Sequence, residues 1–470
     1  MSIISSYVLP HLQVLIPEIG QGKEEKMILT LDSYKDVANR IAAEEPETLL
    51  IITSHADAYE DYFHICKGEG ANVTFSDYGV EGINIPMVYD TELVNEIAKV
   101  CGEVGIDAGT DGDENEQVDH GTGVPLYYID PAMKTPYKVV RISMSGLSLL
   151  THYSYGKCIK DAINNLGRKV TVICSGDLSH RLKADGPLGY IKDASVFDTA
   201  FTAAMESANF IGLFGFEDEL TINAVECVLK CATIMAGTLD GKFVKGELLS
   251  YEDTFGVGCA AFAYTIDEPD STEVIDGRQF DKLLIETIKE RLDNDDNSTN
   301  EYVRLAKKAA EHYTFTGEML SLDNYPYELP AHMRTKRAGV FVTFKIGKMT
   351  RACMGTLSAT QENIAQEIIA ATTDACHIDP RFIPVDIEEL DALSYQVDIL
   401  GDFEPIKALS AINVDKHGLC ITHGPKTGIV LPGIDGVKDA QDQLKIAKKN
   451  SGIEDGEDYN MYRFNVKRYV

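Results

Sequence analysis

Tryptophan is absent from the 470 residues, and the ten cysteines include no Cys-x-x-Cys pair. Cysteines scattered in this way through a long chain read as reduced thiols, mostly in the core. Positive charge is scarce: 43 Lys and Arg stand against 74 Asp and Glu, a formal net charge of −31. A field of that sign repels nucleic acid and anionic lipid at long range, so small-molecule or protein partners are expected instead. Long hydrophobic runs are missing too. Thr48–Thr53 and Lys138–Ser143 fall far short of the roughly 20 residues that cross a bilayer. The opening MSIISSYVLPHLQVLIPEIG has no basic region and is interrupted by Pro10, His11, Pro17 and Glu18, unlike a signal peptide. With 44% hydrophobic and 25% charged residues the composition is that of an ordinary globular protein. The expectation is a soluble, cytoplasmic, multidomain chain without a nucleic-acid or membrane partner.

Strand-like runs at Ser6–Leu9, Thr48–Thr53, Lys138–Ser143 and Val170–Cys174 alternate with helical patterns at Tyr34–Glu45, Asp90–Gly102, Tyr153–Leu166 and Asp198–Ser207. That alternation predicts an α/β domain, a largely parallel sheet with helices on both faces. A last strand at Ala260–Ile266 ends in DEPDSTEVIDG, and a helix at Phe280–Leu292 is followed by DNDDNSTN. Acid-rich stretches of this kind read as linker. The division is a first domain over residues 1–268, an acidic linker carrying one helix over 269–299, and a smaller α+β domain over 300–470. In the last, helices are expected at Glu301–Tyr313, Thr360–Ala371 and Lys438–Lys449, and a strand at Gly339–Phe344.

Six of the eleven histidines fall in the first 180 residues, and four stand where a strand should stop. His11 ends SYVLPH, His55 ends LLIITSH, His120 opens DHGTGVP and His180 closes VTVICSGDLSH. Ligands of open α/β sheets bind beyond the carboxyl ends of the strands, so these four imidazoles can meet in space. Any one alone reads more readily as a hydrogen-bonded core or loop histidine; four together point to a shared partner. Two histidines and one carboxylate on one face of a metal form the Fe(II) oxygenase arrangement with three open positions. The candidate carboxylate is Glu226 in INAVECVLKCATIMAG, a single acid in what reads as an apolar helix. Burying it is expensive unless it is paired or metal-bound.

These segments together, PH…LIPEIG, SHA, DHGTGVPLYY, SGDLSH and AVEC, resemble the LigB-type class III extradiol dioxygenases over about residues 1–270. The resemblance implies that His11, His55 and Glu226 bind Fe(II), that His180 is the acid/base, and that His120 lines the substrate pocket. MEMO proteins share this fold and keep a metal site. The usual PHPP opening reads PHLQ here, with Leu12 and Gln13, so the loop loses the stiffness of two prolines. Such a site would cleave a catecholic or related diol with O2, the metal holding both reactants within bonding distance. An imidazole at His180 suits removal of the second phenolic proton near neutral pH. Asp177 is a candidate to orient His180, or else a turn residue capping its own backbone. His64 is expected to support the site or the packing, and Cys227 and Cys174 read as core thiols. A thiolate in place of the carboxylate would favour a softer metal, and zinc with the same residues would make a hydrolase.

Residues 300–470 resemble the AMMECR family through RAGVFVTFKIG, RACMGTL, DPRFIPVDIEELDALSYQVDIL, HGLCI, GIVLPGIDG and YRFNV. Ala352 and Met354 depart from the usual RGCIGT. A LigB-type domain joined to an AMMECR domain resembles a component of the AmmeMemoRadiSam systems. That resemblance implies association with a MEMO-like protein and a radical-SAM enzyme, and a homodimer. Arg351 beside Cys353 can lower the thiol's pKa, and His417 and His423 flank the strand GLCIT. Arg351, Cys353 and His417 are therefore a possible second site, weighed against a core thiol and surface histidines.

Overall fold

The computed structural model describes residues 2–112, 117–267, 278–294, 300–347, 349–434, 436–454 and 456–470. The chain forms two compact units, Met1–Glu286 and Thr287–Val470. The acidic stretches 268–277 and 295–299 of the expected linker lie outside the described residues. The helix between them is described as Phe280–Asn294.

The first unit contains β1 (Ile3–Leu9), β2 (Thr48–Thr53), β3 (Phe63–His64), β4 (Gly70–Phe75), β5 (Val80–Val88), β6 (Ala108–Gly109), β7 (Lys138–Ser143), β8 (Val170–Ser175), β9 (Phe243–Glu252) and β10 (Cys259–Asp267). Its main sheet has the order β7-β2-β8-β1-β10-β9. Strands β7, β2, β8 and β1 are parallel, whereas β10 and β9 run antiparallel to their neighbours. Its helices are α1 (Pro17–Gly20), α2 (Ile28–Glu44), α3 (Thr91–Glu103), α4 (His120–Ile129), α5 (Leu149–Leu166), α6 (Lys192–Glu206), α7 (Asp218–Ala224) and α8 (Leu229–Thr238).

Every residue of β2 and β8 is buried, as strands covered on both faces must be. The pleat then sorts successive residues into two cores. Leu50 and Ile52 pack with Ile97 of α3, Ile159 of α5 and Ile234 of α8. Leu49 and Ile51 pack on the other face with Tyr34 and Ile41 of α2 and Leu126 of α4. Two glycines allow α5 and α8 to touch backbone to backbone. A Cβ on Gly237 would stand 2.0 Å from the Tyr153 carbonyl oxygen, and one on Gly156 would stand 2.1 Å from that of Ile234.

The parallel register decides where the strands end relative to one another. Leu9 is level with Ser175, and Thr53 is level with Ser175. Three strands therefore stop on one line, and the residues two positions beyond their ends are His11, His55 and Asp177.

The second unit is antiparallel, with β11 (Val340–Ile346), β12 (Met349–Gly355), β13 (Leu393–Leu400), β14 (Glu404–Ile406), β15 (His417–His423), β16 (Lys426–Val430) and β17 (Asn460–Tyr469). The order is β12-β11-β13-β17-β15-β16, and β14 also pairs with β17. Val340, Val342 and Phe344 alternate into the core, consistent with a strand whose other face is more polar. Its longer helices are Glu301–Thr316, Ile364–His377 and Ala440–Ser451. No single helix among the described residues is long and apolar enough to cross a membrane.

Gly237→Ala should lower the stability of the chain by about 1–3 kcal/mol, because a methyl group cannot fit against the Tyr153 carbonyl. Urea unfolding checks this, with Gly102→Ala as control: nothing lies within 4 Å of a Cβ there. Equal effects of the two substitutions would refute the packing argument.

Candidate metal centre

His11 is only 1% exposed. Its backbone N–H donates to Asp177 Oδ1 at 2.8 Å. Its Nδ1 lies 3.0 Å from Ser175 Oγ. Ser175 spends its own proton on the Gly121 carbonyl, so it accepts from His11 Nδ1–H. That assigns the tautomer and leaves Nε2 with a bare lone pair. Nε2 lies 3.1 Å from His55 Nε2, 3.4 Å from Cys227 Sγ and 3.7 Å from Asp177 Oδ2.

His55 is set by its backbone N–H, which donates to Thr53 Oγ1 at 3.1 Å, while that hydroxyl donates to Asp119 Oδ1 at 2.9 Å. Its ring lies 4.1 Å from that of His120, centroid to centroid. His120 does not close a strand, as its motif suggested. It opens α4, because Asp119 accepts the Thr122 N–H at 2.9 Å and caps the helix there. Tyr78 OH meets His120 Nδ1 at 3.1 Å. One nitrogen each of His11, His55 and His120 lies within 4.8 Å of the others.

Burial, then the neighbouring His55, holds the His11 pKa down at about 3. Burial, then His11 and His55, does the same for His120, also to about 3. Burial lowers His55 as well. Three neutral imidazoles thus gather with lone pairs available at physiological pH. A cation with metal–nitrogen bonds of about 2.0–2.1 Å at a right angle spans two nitrogens about 3 Å apart, which matches the His11–His55 separation. The donor set therefore fits a divalent metal.

Beneath the cluster lies a buried ion pair. Arg141 Nη2 donates to Asp119 Oδ2 at 2.8 Å, and its other nitrogens donate to Tyr89 OH and Thr122 Oγ1. Burial pushes the Asp119 carboxyl up, but the Arg141 charge and its hydrogen bonds outweigh that and hold it below the usual range. The same carboxylate caps α4 and holds Thr53, so one anion braces two of the three histidines.

Glu226 is not within a helix. The chain breaks at Val225, which adopts the left-handed conformation with φ 55°, and it bends by 118° between α7 and α8. The orphan amides at the start of α8 claim the carboxylate: Glu226 Oε2 accepts from Val228 N at 2.7 Å and Leu229 N at 2.8 Å. Cys227, read from sequence as a core thiol, instead faces His11 and accepts the Asp177 N–H at 3.3 Å. Cys174 is a core thiol as expected.

The Asp177 carboxylate serves His11 by accepting the His11 backbone N–H, whereas its influence on His180 is electrostatic. His180 acts electrostatically on His11, His55 and Glu226 as well. Its Nδ1 is buried with no hydrogen-bond partner among the described residues. His64 is buried on β3 with its ring beside Tyr59, at 5.8 Å, outside the histidine cluster. His152 is structural: Nδ1 donates to the Ser148 carbonyl at 2.8 Å and Nε2 accepts the Ser145 N–H.

His55 borders two cavities. One of about 230 Å³ is polar and lined by Asp57, Asp77, Tyr78, Asp119, His120 and Arg141, among others. The other, about 400 Å³, is lined by Met144, Leu149, Phe216, Glu226, Cys227 and Lys230, among others.

In the second unit the suggested residues are not brought together. Arg351 turns away to Glu389, at 2.5 and 2.9 Å, and to the carbonyls of Ile383 and Pro384. Burial raises the Cys353 thiol, and the Thr343 hydroxyl and Arg381 offset this only in part, so the thiol is not activated by arginine. β11, β13 and β17 separate the strand of Cys353 from that of His417. His417 Nδ1 accepts the Asn413 N–H, and His423 Nδ1 meets the Asp458 carbonyl.

The sequence profile described as "Catalytic LigB subunit of aromatic ring-opening dioxygenase" matches residues 5–263, and that of AMMECR1 matches residues 303–469. A protein of Clostridium acetobutylicum is 33% identical over 476 residues, covering 100% of this chain and 99% of its own. A protein of Thermotoga maritima is 38% identical over 170 residues, covering 36% of this chain and 96% of its own. Among solved structures, an uncharacterized protein from Pyrococcus horikoshii aligns with 36% of this chain and 88% of its own, at 27% identity and a TM-score of 0.33.

His152, buried and held at about pKa 3 by that burial, yields a pH prediction for the metal-free protein. An unfolded histidine takes up a proton near pH 6.5, while the folded one resists until about pH 3. Its stabilisation is therefore complete above 6.5 and is lost as pH falls through that window. Between pH 6 and 5, wild type should lose about 1.2 kcal/mol more than His152→Gln. Equal slopes in urea titrations would contradict this.

Proposed function

Because the chain belongs to the LigB family through its first domain and to the AMMECR1 family through its second, we propose that the first domain is a mononuclear Fe(II) enzyme of the extradiol type. Its substrates in this reading are a catecholic or related diol and O2. The observation that carries it is the 3.1 Å approach of two neutral imidazole nitrogens, His11 Nε2 and His55 Nε2, at the ends of adjoining strand loops. Glu226 is the third donor: with Oε2 engaged by the helix amides, Oε1 is the oxygen left to face the cavity it shares with His55. A bound Fe(II) would supply the redox chemistry and a common anchor for diol and dioxygen.

The chain's own groups do the rest. Ser175 keeps His11 in the tautomer with Nε2 free, and Asp119 keeps the loops of His55 and His120 in place. Met144, Leu149 and Phe216 exclude water from the larger cavity and hold the apolar body of the diol. His180 takes the second hydroxyl proton on its imidazole and returns it later; a buried nitrogen without a partner is suited to such an exchange. His120, with Tyr78 on its Nδ1, orients the diol from the opposite side.

A second reading rests on Cys227, whose sulfur stands 3.4 Å from His11 Nε2. A thiolate there favours zinc or another softer metal and a metal-binding or accessory role like that of MEMO proteins. Association with a MEMO-like protein and a radical-SAM enzyme, and assembly as a homodimer, belong to either reading and are open to co-purification and light scattering.

Anaerobic Fe(II) reconstitution of wild type, His11→Ala, Glu226→Gln and Cys227→Ser tests both. About one iron per chain is expected, lost more than about 100-fold in His11→Ala. Loss in Glu226→Gln but not Cys227→Ser, with catechol-dependent oxygen uptake in wild type, supports the dioxygenase. Loss in Cys227→Ser alone supports the thiolate site. Iron held equally by all four proteins, or by none, defeats both.

A further inference from the structure

The thiol beside the histidines extends the Fe(II) reading to the chain's own reaction with oxygen. Eight of the ten cysteines are buried, whereas Cys227 and Cys353 are partly exposed. Cys353 lies in the second unit. Cys227 lines the larger cavity together with His55 and Glu226. Its sulfur stands 3.4 Å from His11 Nε2. That nitrogen belongs to the cluster in which one nitrogen each of His11, His55 and His120 lies within 4.8 Å of the others.

The backbone of Asp177 clamps this sulfur in place. Sγ accepts the Asp177 N–H at 3.3 Å and donates its own proton to the Asp177 carbonyl at 3.4 Å. The Cys227 backbone N–H donates to the same carbonyl at 3.2 Å. At 3.4 Å the sulfur and His11 Nε2 are in contact, and no atom fits between them. In the metal–diol reading the diol occupies the cavity that Cys227 lines and covers the sulfur. Without the diol, dioxygen enters a chamber of about 400 Å³ in which an oxidisable thiol stands beside a metal ligand.

We infer that Cys227 is a self-oxygenation site: in the Fe(II)-loaded chain without its diol, O2 converts this thiol to the sulfinic acid. The inference rests on the Fe(II)–O2 reading. Both atoms of one O2 bond to sulfur as the O–O bond breaks, and the S–H proton passes to a sulfinate oxygen. Sulfur is oxidised and dioxygen reduced by the same number of electrons, so no further reagent is consumed. Thiols do not reverse a sulfinic acid. It adds bulk and charge to the wall that receives the diol, so oxygen without substrate closes the site.

The test is peptide mass spectrometry of the full-length chain after incubation in air with Fe(II), with Zn(II) or without metal, iron content being measured on the same samples. With Fe(II), the peptide carrying Cys227 should gain two oxygen atoms, about 32 Da, and about 4 Da more under oxygen-18 gas. Cys353, partly exposed but in the other unit, should remain a thiol. Catechol should lower the modified fraction several-fold, and the Zn(II)-loaded protein and His11→Ala should stay unmodified. The inference is overturned if Cys227 remains a thiol in iron-loaded protein under air, or if the same gain appears with Zn(II). Equal oxidation of Cys227 and Cys353 also overturns it, since that marks a diffusible oxidant, and so does a disulfide from Cys227 to Cys231. If no iron binds, the Fe(II) reading falls and takes this inference with it. Bound iron and catechol-dependent oxygen uptake with Cys227 intact remove this inference only.

Discussion

The arrangement depends on the register of three parallel strands. Leu9, Thr53 and Ser175 end on one line across β1, β8 and β2, and the chain needs only two further residues to turn a side chain over the top. His11, His55 and Asp177 occupy those positions. Hydrogen bonding along the sheet thus fixes, to within a fraction of a residue, where two imidazoles and a carboxylate meet. The cost is concentrated there: neutral rings are buried side by side, and a buried carboxyl is pushed upward by the loss of water. Such costs are sustained only when the surrounding core is rigid, which here means two apolar layers against strands that are wholly buried.

Much of this was legible in the sequence because the sheet writes itself plainly. Runs such as LLIIT and VTVIC have no polar alternation, so they read as central strands, and a histidine two residues past LLIIT, as past SYVL, reads as a residue at the sheet's edge. His11 and His55 stand out in this way. The turn at Glu226 was hidden for the opposite reason. INAVECVLKCATIMAG carries no glycine, proline or asparagine at the break; its left-handed residue is Val225, a β-branched side chain that local propensity assigns elsewhere. Composition therefore reads through the corner as one helix, and the separate directions of Glu226, toward the helix amides, and Cys227, toward His11, become visible only in three dimensions.

His120 and the second domain show two other limits. Asp119 is a helix cap, an ion-pair partner and a brace for Thr53 at once. The pattern DHGTGVP displays only the first of these roles. In the AMMECR1 domain, Cys353 and His417 looked related because each borders a strand, but strand order is not sequence order. Three strands intervene, and no spacing rule reveals that.

The corner between α7 and α8 presents a carboxylate and a thiol at consecutive positions, one directed to helix amides and the other to His11. Neighbouring residues of opposite chemical hardness on one strained turn mean that the scaffold need not change for its taste in metals to change. If Glu226 is the donor proposed above, a single substitution, or a slight rotation of the turn, would exchange oxygen for sulfur while strands, histidines and cavities stay as they are. On the reading proposed above, two inorganic chemistries would stand within one point mutation of each other on this fold.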